Sequence, residues 1–506
     1  MCVEFQLHPS ELKSHWEAHI LAKTSKILPI SSSGLKELRG ALSKRLEAAV
    51  SAQVQQRTMP QPTRAARPAA GPTSAAAATS SGGQAGSFAA THMSVPMVSE
   101  RRYRYLQDRI LDRGEALDDR IDEFENLVAA AYPDDGEVSD PWLIPTEDVL
   151  VVGRICMDVN TEDEKAKLNE KSMFLEPSRD TGTGKRIELV FPRGVSHRDG
   201  YQTTPFFPGA IVALKGRGVG GRFVVREVLS LPPMINEPQT ASATVCVAAG
   251  PFTFDSNLAY EPMSALLRTV DQREPNAVIL LGPFVDSEHP LVAQGDLDEH
   301  PKQLFQKHIL GRLKFLCDRR PNTKVYLVPS VRDAITDHAV FPQGEIGGEW
   351  TAHPNIHFQP NPTVINVNGV DIATCSLDAL WDLKTREFVY AFHQQQGETD
   401  AMANSCRQFL EQRSFYPLFP PPRDAKVPFD LSHLPLSTLQ TRPDALILPS
   451  RLAKFHKNVD GCAMVNPGLF SRSKTTGVFV TMTWKDGVVS VSQESVQLPP
   501  PKNPPP

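Results

Sequence analysis

The spacing of hydrophobic positions changes along this chain, and each change marks a boundary. Residues 11–22 set Leu12, His15, Trp16, His19 and Ile20 at helical spacing behind Ser10 as N-cap. Residues 34–50 carry Leu35, Leu38, Leu42, Leu46 and Val50 on one stripe, so two short helices are predicted. No period survives in 51–97, where Ala, Pro, Ser, Thr, Gly and Gln dominate and Arg57, Arg64 and Arg67 face no acidic residue. Such a stretch buries too little apolar surface to offset chain entropy and reads as a linker. Helical spacing returns in 101–132, where Leu117, Ile121, Phe124 and Val128 share a face and Gly114 is expected to divide the segment into two helices.

A period of two then takes over. Short β-rich runs at 149–159, 173–176, 187–191, 210–215 and 223–229 are separated by turn-rich segments, the pattern of a small barrel such as the OB fold. From 244 onward, strands and helices alternate. Strands are predicted at 245–249, 278–281, 325–328 and 445–448, and helices at 263–270, 303–317 and 402–412. A hairpin turning at Asn368-Gly369 and a β-rich end at 478–496 complete the set. Several of these strands are apolar on both faces, as in an α/β domain with covered sheets. The predicted fold class is therefore α/β plus all-β. Its parts are a helical N-terminal segment (1–50), a linker (51–97), a helical lead-in (98–140), an OB-fold (141–236), an α/β domain (237–498) and a proline-rich tail (499–506).

Composition adds limits. A net charge of −5 does not suit a chain that grips nucleic acid by its own field, so any DNA contact is expected to be indirect or weak. The seven cysteines, Cys2, Cys156, Cys246, Cys317, Cys375, Cys406 and Cys462, form no C-x-x-C pair and suit buried thiols in a reducing compartment. No apolar run approaches the roughly 20 residues that span a bilayer, so no membrane partner is expected.

Several motifs look chemical but read more simply as structure. Gly216-Arg217-Gly218-Val219-Gly220-Gly221 matches the dinucleotide fingerprint, yet a β-run follows where a helix is required, so a hairpin turn is predicted. Thr181-Gly182-Thr183-Gly184-Lys185 lacks the first glycine and the final Ser or Thr of a P-loop and reads as a loop. His15 and His19 stand four apart without a third ligand, which favours a docking face. His353 and His357 share that spacing, but Pro354 argues against a helix, and both are assigned to a loop.

The informative positions are the strand ends of the α/β domain, because ligands in open α/β sheets sit beyond the carboxyl ends of strands. In order they read Ala248-Ala249-Gly250-Pro251, Gly282-Pro283-Phe284-Val285-Asp286, Val328-Pro329-Ser330-Val331-Arg332-Asp333 and Leu448-Pro449-Ser450-Arg451. This series of turns resembles the calcineurin-like metallophosphoesterases, whose strand ends carry D-x-H, G-D-x-x-D, G-N-H-D and G-H-x-H around two metals. The resemblance implies a degenerate metal site. Ala248 stands in the D-x-H strand end, Pro283 replaces the bridging Asp, and Asp286 keeps the frame. Val331 and Arg332 replace Asn and His ahead of Asp333, and Ser450 lies near a lost His. Pro, Val and Ser cannot ligate a hard cation, so no catalytic residue, metal or cofactor is expected.

A barrel followed by an inactivated phosphoesterase domain resembles the B subunits of eukaryotic replicative DNA polymerases, and most of all those of polymerase alpha. The similarity rests on Lys167-Leu168-Asn169 with Lys171-Ser172, Phe207-Pro208-Gly209, the two strand ends at 282–286 and 328–333, Gln412-Arg413-Ser414-Phe415-Tyr416-Pro417-Leu418-Phe419-Pro420-Pro421, and Val465-Asn466-Pro467-Gly468. It implies a nuclear, non-catalytic accessory subunit of the polymerase alpha–primase complex. Such a subunit holds the C-terminal zinc-binding domain of the catalytic subunit, reaches the primase subunits through the complex, and docks other replication factors through its N-terminal segment. The alternatives are a B subunit of polymerase delta or epsilon, or a metallophosphoesterase with atypical ligands. A single-strand-binding barrel is a further alternative, using Phe174, Phe191 and Phe223 with Lys185, Arg186 and Arg222.

Overall fold

Period-two patterning in the middle of the chain closes into a barrel. The computed structural model describes residues 105–498, apart from 108, 144–146, 158–166, 183, 236–241, 349, 351–352, 393–399, 474 and 486. The expectations for 1–104 and for the tail after Leu498 lie outside the described residues. In chain order the barrel region contains β1 (Val149–Met157), β2 (Met173–Glu176), β3 (Ile187–Val190), β4 (Ser196–His197), β5 (Thr203–Phe206), β6 (Ile211–Val219) and β7 (Arg222–Leu229). The sheet runs β3-β2-β1-β6-β7, and a parallel β3–β7 pairing joins its ends into a five-stranded OB barrel. The glycine run is largely strand: β6 continues through Gly216 and Gly218, and only Gly220 and Gly221, at φ +58° and +79°, make the turn. Gly216 marks a register shift between the paired strands, where a Cβ would overlap the Val224 carbonyl.

The lead-in forms one helix, α1 (Ile110–Ala131), which passes through Gly114 without a break, against the expected division. One glycine costs a helix only about 1 kcal/mol relative to alanine. Burial of Ile121, Phe124 and Val128 against Leu150, Val152, Ile211 and Leu229 of the barrel outweighs that cost.

The α/β domain is a sandwich of two sheets. The first uses β8 (Ala243–Ala249), β9 (Ala277–Leu281), β10 (Lys324–Val328) and β11 (Ile356–Phe358), with α2 (Glu261–Arg273) and α3 (Gly311–Arg319) on its outer face. His357 lies in β11, opposite Tyr326, and not in a loop. The second sheet uses β12 (Thr363–Val367) and β13 (Val370–Thr374), then, beyond α4 (Ala379–Arg386), β14 (Phe388–Ala391) and α5 (Ala401–Glu411), it adds β15 (Ala445–Ile447), β16 (Phe455–Val459) and β17 (Cys462–Asn466). The short pair β18 (Ser471–Arg472) and β19 (Thr475–Thr476) leads to β20 (Val478–Lys485) and β21 (Val488–Ser495), which complete the first sheet in the order β11-β10-β9-β8-β20-β21. Val245, Ile279 and Leu281 of the first sheet meet Ile372, Ile447 and Val465 of the second in a shared core. β9 is buried at every position because helices cover its other face.

The boundary near 236 divides the elements but not the core. One apolar cluster runs from Val151, Leu175 and Phe223 in the barrel to Leu380, Phe409, Tyr416 and Met464 in the second domain. β14 pairs antiparallel with β5, from Phe388 opposite Phe206 to Ala391 opposite Thr203. Gln412 acts as a surrogate strand residue: its side-chain oxygen accepts from the Ile211 amide at 2.8 Å and its NH2 donates to the Ile211 carbonyl at 2.8 Å. Pro208 accepts from the Phe419 amide at 3.0 Å. Two of the segments that carried the resemblance, 207–209 and 412–421, thus meet each other at the seam between the domains.

His197 sits at that seam between the rings of Tyr201 and Phe392, at 4.7 and 5.5 Å. Its Nδ1 accepts from the Asp199 amide, which places the ring proton on Nε2. Burial lowers its pKa to about 4. A depressed pKa in the folded state means that the unfolded chain takes up the proton first. The stabilisation is therefore complete above about pH 6.5 and is lost as the pH falls towards 4. Lowering the pH from 7 to 5 should remove about 2 kcal/mol through this group. Urea unfolding at both pH values checks this: His197→Phe should be less acid-sensitive, and an unchanged pH dependence would remove His197 from the account.

Candidate functional site

The carboxyl ends of the parallel strands converge on one cleft of about 480 Å³. β8, β9 and β10 bring Gly250, Pro283, Val331 and Arg332 to it, β13 and β15 bring Asp378 and Arg451, and Asp424 and Lys426 form the facing wall. Pro283, Val331 and Arg332 line this cleft among the positions singled out in the sequence. Ala248, Asp286, Asp333 and Ser450 are buried.

The buried polar groups act as ties. Asp333 accepts from the amides of Phe284 and of Val285 (3.0 Å) with one oxygen and from the amide of Ser330 (2.8 Å) with the other. This carboxylate therefore knots the loop after β9 to the loop after β10. Gly282 is required beside it, because a Cβ there would overlap the Asp333 carboxylate. Burial pushes the Asp333 pKa up to about 7 against the opposing pull of the three amides.

Arg332 forks onto Asp286, with Nε 3.1 Å from one carboxylate oxygen and a terminal nitrogen bonded to the other. Glu288 lies 3.3 Å from the same guanidinium and 3.2 Å from Lys426 Nζ. Planar bidentate pairing is the geometry in which arginine holds a carboxylate best. The neighbouring His289 is also committed: Nδ1 accepts from the Leu291 amide at 3.2 Å, and Nε2 lies 2.8 Å from the Phe254 carbonyl.

Ser450 does not face the cleft. Its amide donates to Asn466 Oδ1 at 2.9 Å and its hydroxyl accepts from the Leu452 amide. Asn466 also accepts from the Gly468 amide and donates to the Leu452 and Ala453 carbonyls, so segment 465–468 is a clasp for the turn after β15. The next residue, Arg451, reaches Asp378 at 2.9 Å. Sequence reading missed Glu288, Asp378, Asp424 and Lys426, which lie outside the strand-end motifs. Only Asp378, the N-cap of α4, carried a local signal.

A two-metal centre needs several free carboxylate or imidazole donors around each cation. Here the Asp333 oxygens are taken by amides, Asp286 is taken by a guanidinium, and both His289 nitrogens are bonded. Among the described residues no three His, Cys, Asp or Glu side chains converge on one point. The donor set does not fit a metal pair. The stacking-platform reading of the barrel fares no better. Phe191 and Phe223 belong to the core, and Phe174 is half-buried. Arg186 pairs with Glu176 at 3.2 Å and Arg222 with Glu188 at 2.9 Å.

Comparison with known proteins bears on both halves of this architecture. The family of B subunits of DNA polymerases alpha and epsilon matches residues 245–457, and the family of OB domains from the B subunit of DNA polymerase alpha matches residues 114–231. The B subunit of DNA polymerase alpha from Schizosaccharomyces pombe is 30% identical over 409 residues, spanning 75% of this chain and 67% of the relative. The chain belongs to the family of DNA polymerase alpha B subunits. Members from Rattus norvegicus and Saccharomyces cerevisiae are 28% and 27% identical over 78% and 75% of this chain, covering 64% and 60% of their own lengths. The chain thus spans about two thirds of the length of these family members. The barrel match is to the alpha OB domain, so the delta and epsilon alternatives are not favoured. Among solved structures, a predicted phosphoesterase from Streptococcus pneumoniae and Vps29 from Entamoeba histolytica overlay 52% and 50% of the chain and 96% and 98% of their own. They do so at 10% and 13% identity with TM-scores of 0.23 and 0.19. Scores this low add nothing to what the sheet order already says.

Proposed function

We propose that this chain is the non-catalytic accessory subunit of a DNA polymerase alpha–primase complex, acting in the nucleus to hold the catalytic subunit and primase together for the initiation of replication and lagging-strand priming. One observation carries the reading: in a chain of this family, the carboxylates at the strand ends are committed to structural ties, Asp286 to the Arg332 guanidinium at the cleft and the buried Asp333 to backbone amides. At the positions of the resembled metal site, Ala248 is core, Ser450 holds the turn after β15, and Pro283 and Val331 line the cleft with side chains that cannot ligate a cation. The proposed partner is the C-terminal zinc-binding domain of the catalytic subunit, with primase reached through the complex and other replication factors through the N-terminal segment. Barrel and sandwich share one core, so they present one rigid surface to that partner. A scaffold of this kind raises the effective concentration of one active site near the other, making primer transfer intramolecular.

Co-expression with the C-terminal domain of a polymerase alpha catalytic subunit should yield a stable one-to-one complex in size exclusion with light scattering. The purified chain with added Mn²⁺ should not hydrolyse a phosphodiester. Absence of a complex would remove the scaffold reading. Turnover together with stoichiometric bound metal would restore the enzyme alternative.

A further inference from the structure

We propose that the groove between α2 and α3 is a docking site for an acidic amphipathic helix of a partner protein, anchored by one apolar side chain. The groove, about 280 Å³, lies on the face of the first sheet remote from the barrel. Ser264, Leu267 and Arg268 of α2 line it at helical spacing, and Gly311, Phe315 and Arg319 of α3 do the same from the other side. Gly311 and Ser264 make its floor shallow enough for another helix to approach, the arrangement in which a side-chain ridge enters a groove.

Two observations point to an occupant. Phe315 is 65% exposed on a helix whose other large apolar positions, Leu313 and Leu316, are buried. A phenyl ring at such a position has no part in the core and offers apolar area to an incoming side chain. The rim is also strongly basic, although the chain as a whole carries a net charge of −5. Arg268, Arg312 and Arg319 line the groove against the single carboxylate of Asp271. Arg319 lies 2.8 Å from Asp271, with its guanidinium 5.8 Å from the Phe315 ring centre. Arg320 draws on the same Asp271 at 2.8 Å and pairs also with Glu274, while Arg312 donates to the Tyr260 and Ala259 carbonyls and faces no carboxylate of its own. Arg268 is exposed and makes no ion pair among the described residues. Unbalanced guanidinium groups around an apolar notch select carboxylates flanking an apolar anchor. The groove is short and lies between packed helices, which fits a helix of a few turns better than an extended nucleic-acid strand.

The test uses the full chain and a fluorescein-labelled synthetic helix about four turns long, with Leu at i, i+3 and i+7 and Glu or Asp elsewhere. A matched helix with Lys in place of the acids and an oligothymidylate serve as competitors. Anisotropy titration should give saturable binding of the acidic helix, weakened about 10-fold or more by Phe315→Ala and by Arg268→Glu. Both variants change exposed side chains, and an unchanged melting temperature confirms that they fold. Absence of binding, equal affinity for the lysine helix, unaffected binding in both variants, or displacement by the oligothymidylate would each overturn the proposal. So would self-association of the chain that Phe315→Ala abolishes, since the groove would then hold a second copy.

Discussion

Replacing Gly209 with alanine should cost at least about 4 kcal/mol and leave much of the chain insoluble. Gly209 has φ +98°, a conformation that side chains rarely adopt. Its missing Cβ leaves room for the backbone of the other domain: a methyl there would overlap the Phe419 amide nitrogen and come within 2.9 Å of the Pro417 carbonyl oxygen. Relief requires moving segment 417–419, which breaks the Phe419–Pro208 hydrogen bond and disturbs the Gln412 pairing with Ile211. Urea unfolding of the soluble fraction measures the loss. Gly220→Ala is the control, because Gly220 also has positive φ (+58°) but no atom within 4 Å of its would-be Cβ. It should cost only about 1 kcal/mol. Equal losses in the two variants would show that backbone strain, and not the seam, sets the effect.

Asp333→Ala should destabilise the chain by about 3–5 kcal/mol. Removing the carboxylate leaves the buried amides of Phe284, Val285 and Ser330 without their acceptor, and an unsatisfied buried donor costs about 1–3 kcal/mol. Asp333→Asn keeps the acceptor for Phe284 and Val285 but turns an NH2 towards the Ser330 amide, so its loss should be about half. Hydrogen exchange at those amides reports the local part, and denaturant midpoints report the total. A loss below about 1 kcal/mol for the alanine variant would mean that water replaces the carboxylate. The tie between the two loops would then be incidental.

These two results would place the family's sequence signatures in structural roles. The 282–286 and 328–333 segments are joined by Asp333 and by the Arg332–Asp286 fork, and the 207–209 and 412–421 segments interlock at the seam. The polar residues at these strand ends bind backbone amides and one another. A solvent-exposed ion pair contributes little, but Asp286 is buried, and removing Arg332 would strand its charge.

Much of this architecture follows from the sequence alone. Short β-rich runs between turns marked five of the strands of the barrel region, apolar runs of four or five residues marked the buried strands of the sandwich, and the stripe at Ile121, Phe124 and Val128 marked the face that α1 buries. That Pro283 and Val331 cannot ligate a cation was equally legible, because ligand chemistry belongs to residue type. Tertiary structure alone decided the rest. β5 carries Pro205, which argues against a strand, and forms because β14 from the other domain pairs with it. Gly114 stays helical because barrel packing overrides propensity. Asp286, the partner of Arg332, and Phe284 and Val285, which bond Asp333, lie more than forty residues away, and a single sequence without aligned relatives holds no signal for such pairs. Local patterns encode which face of an element is apolar, whereas the meeting of two elements depends on loop geometry and on shape, which have no periodicity to read.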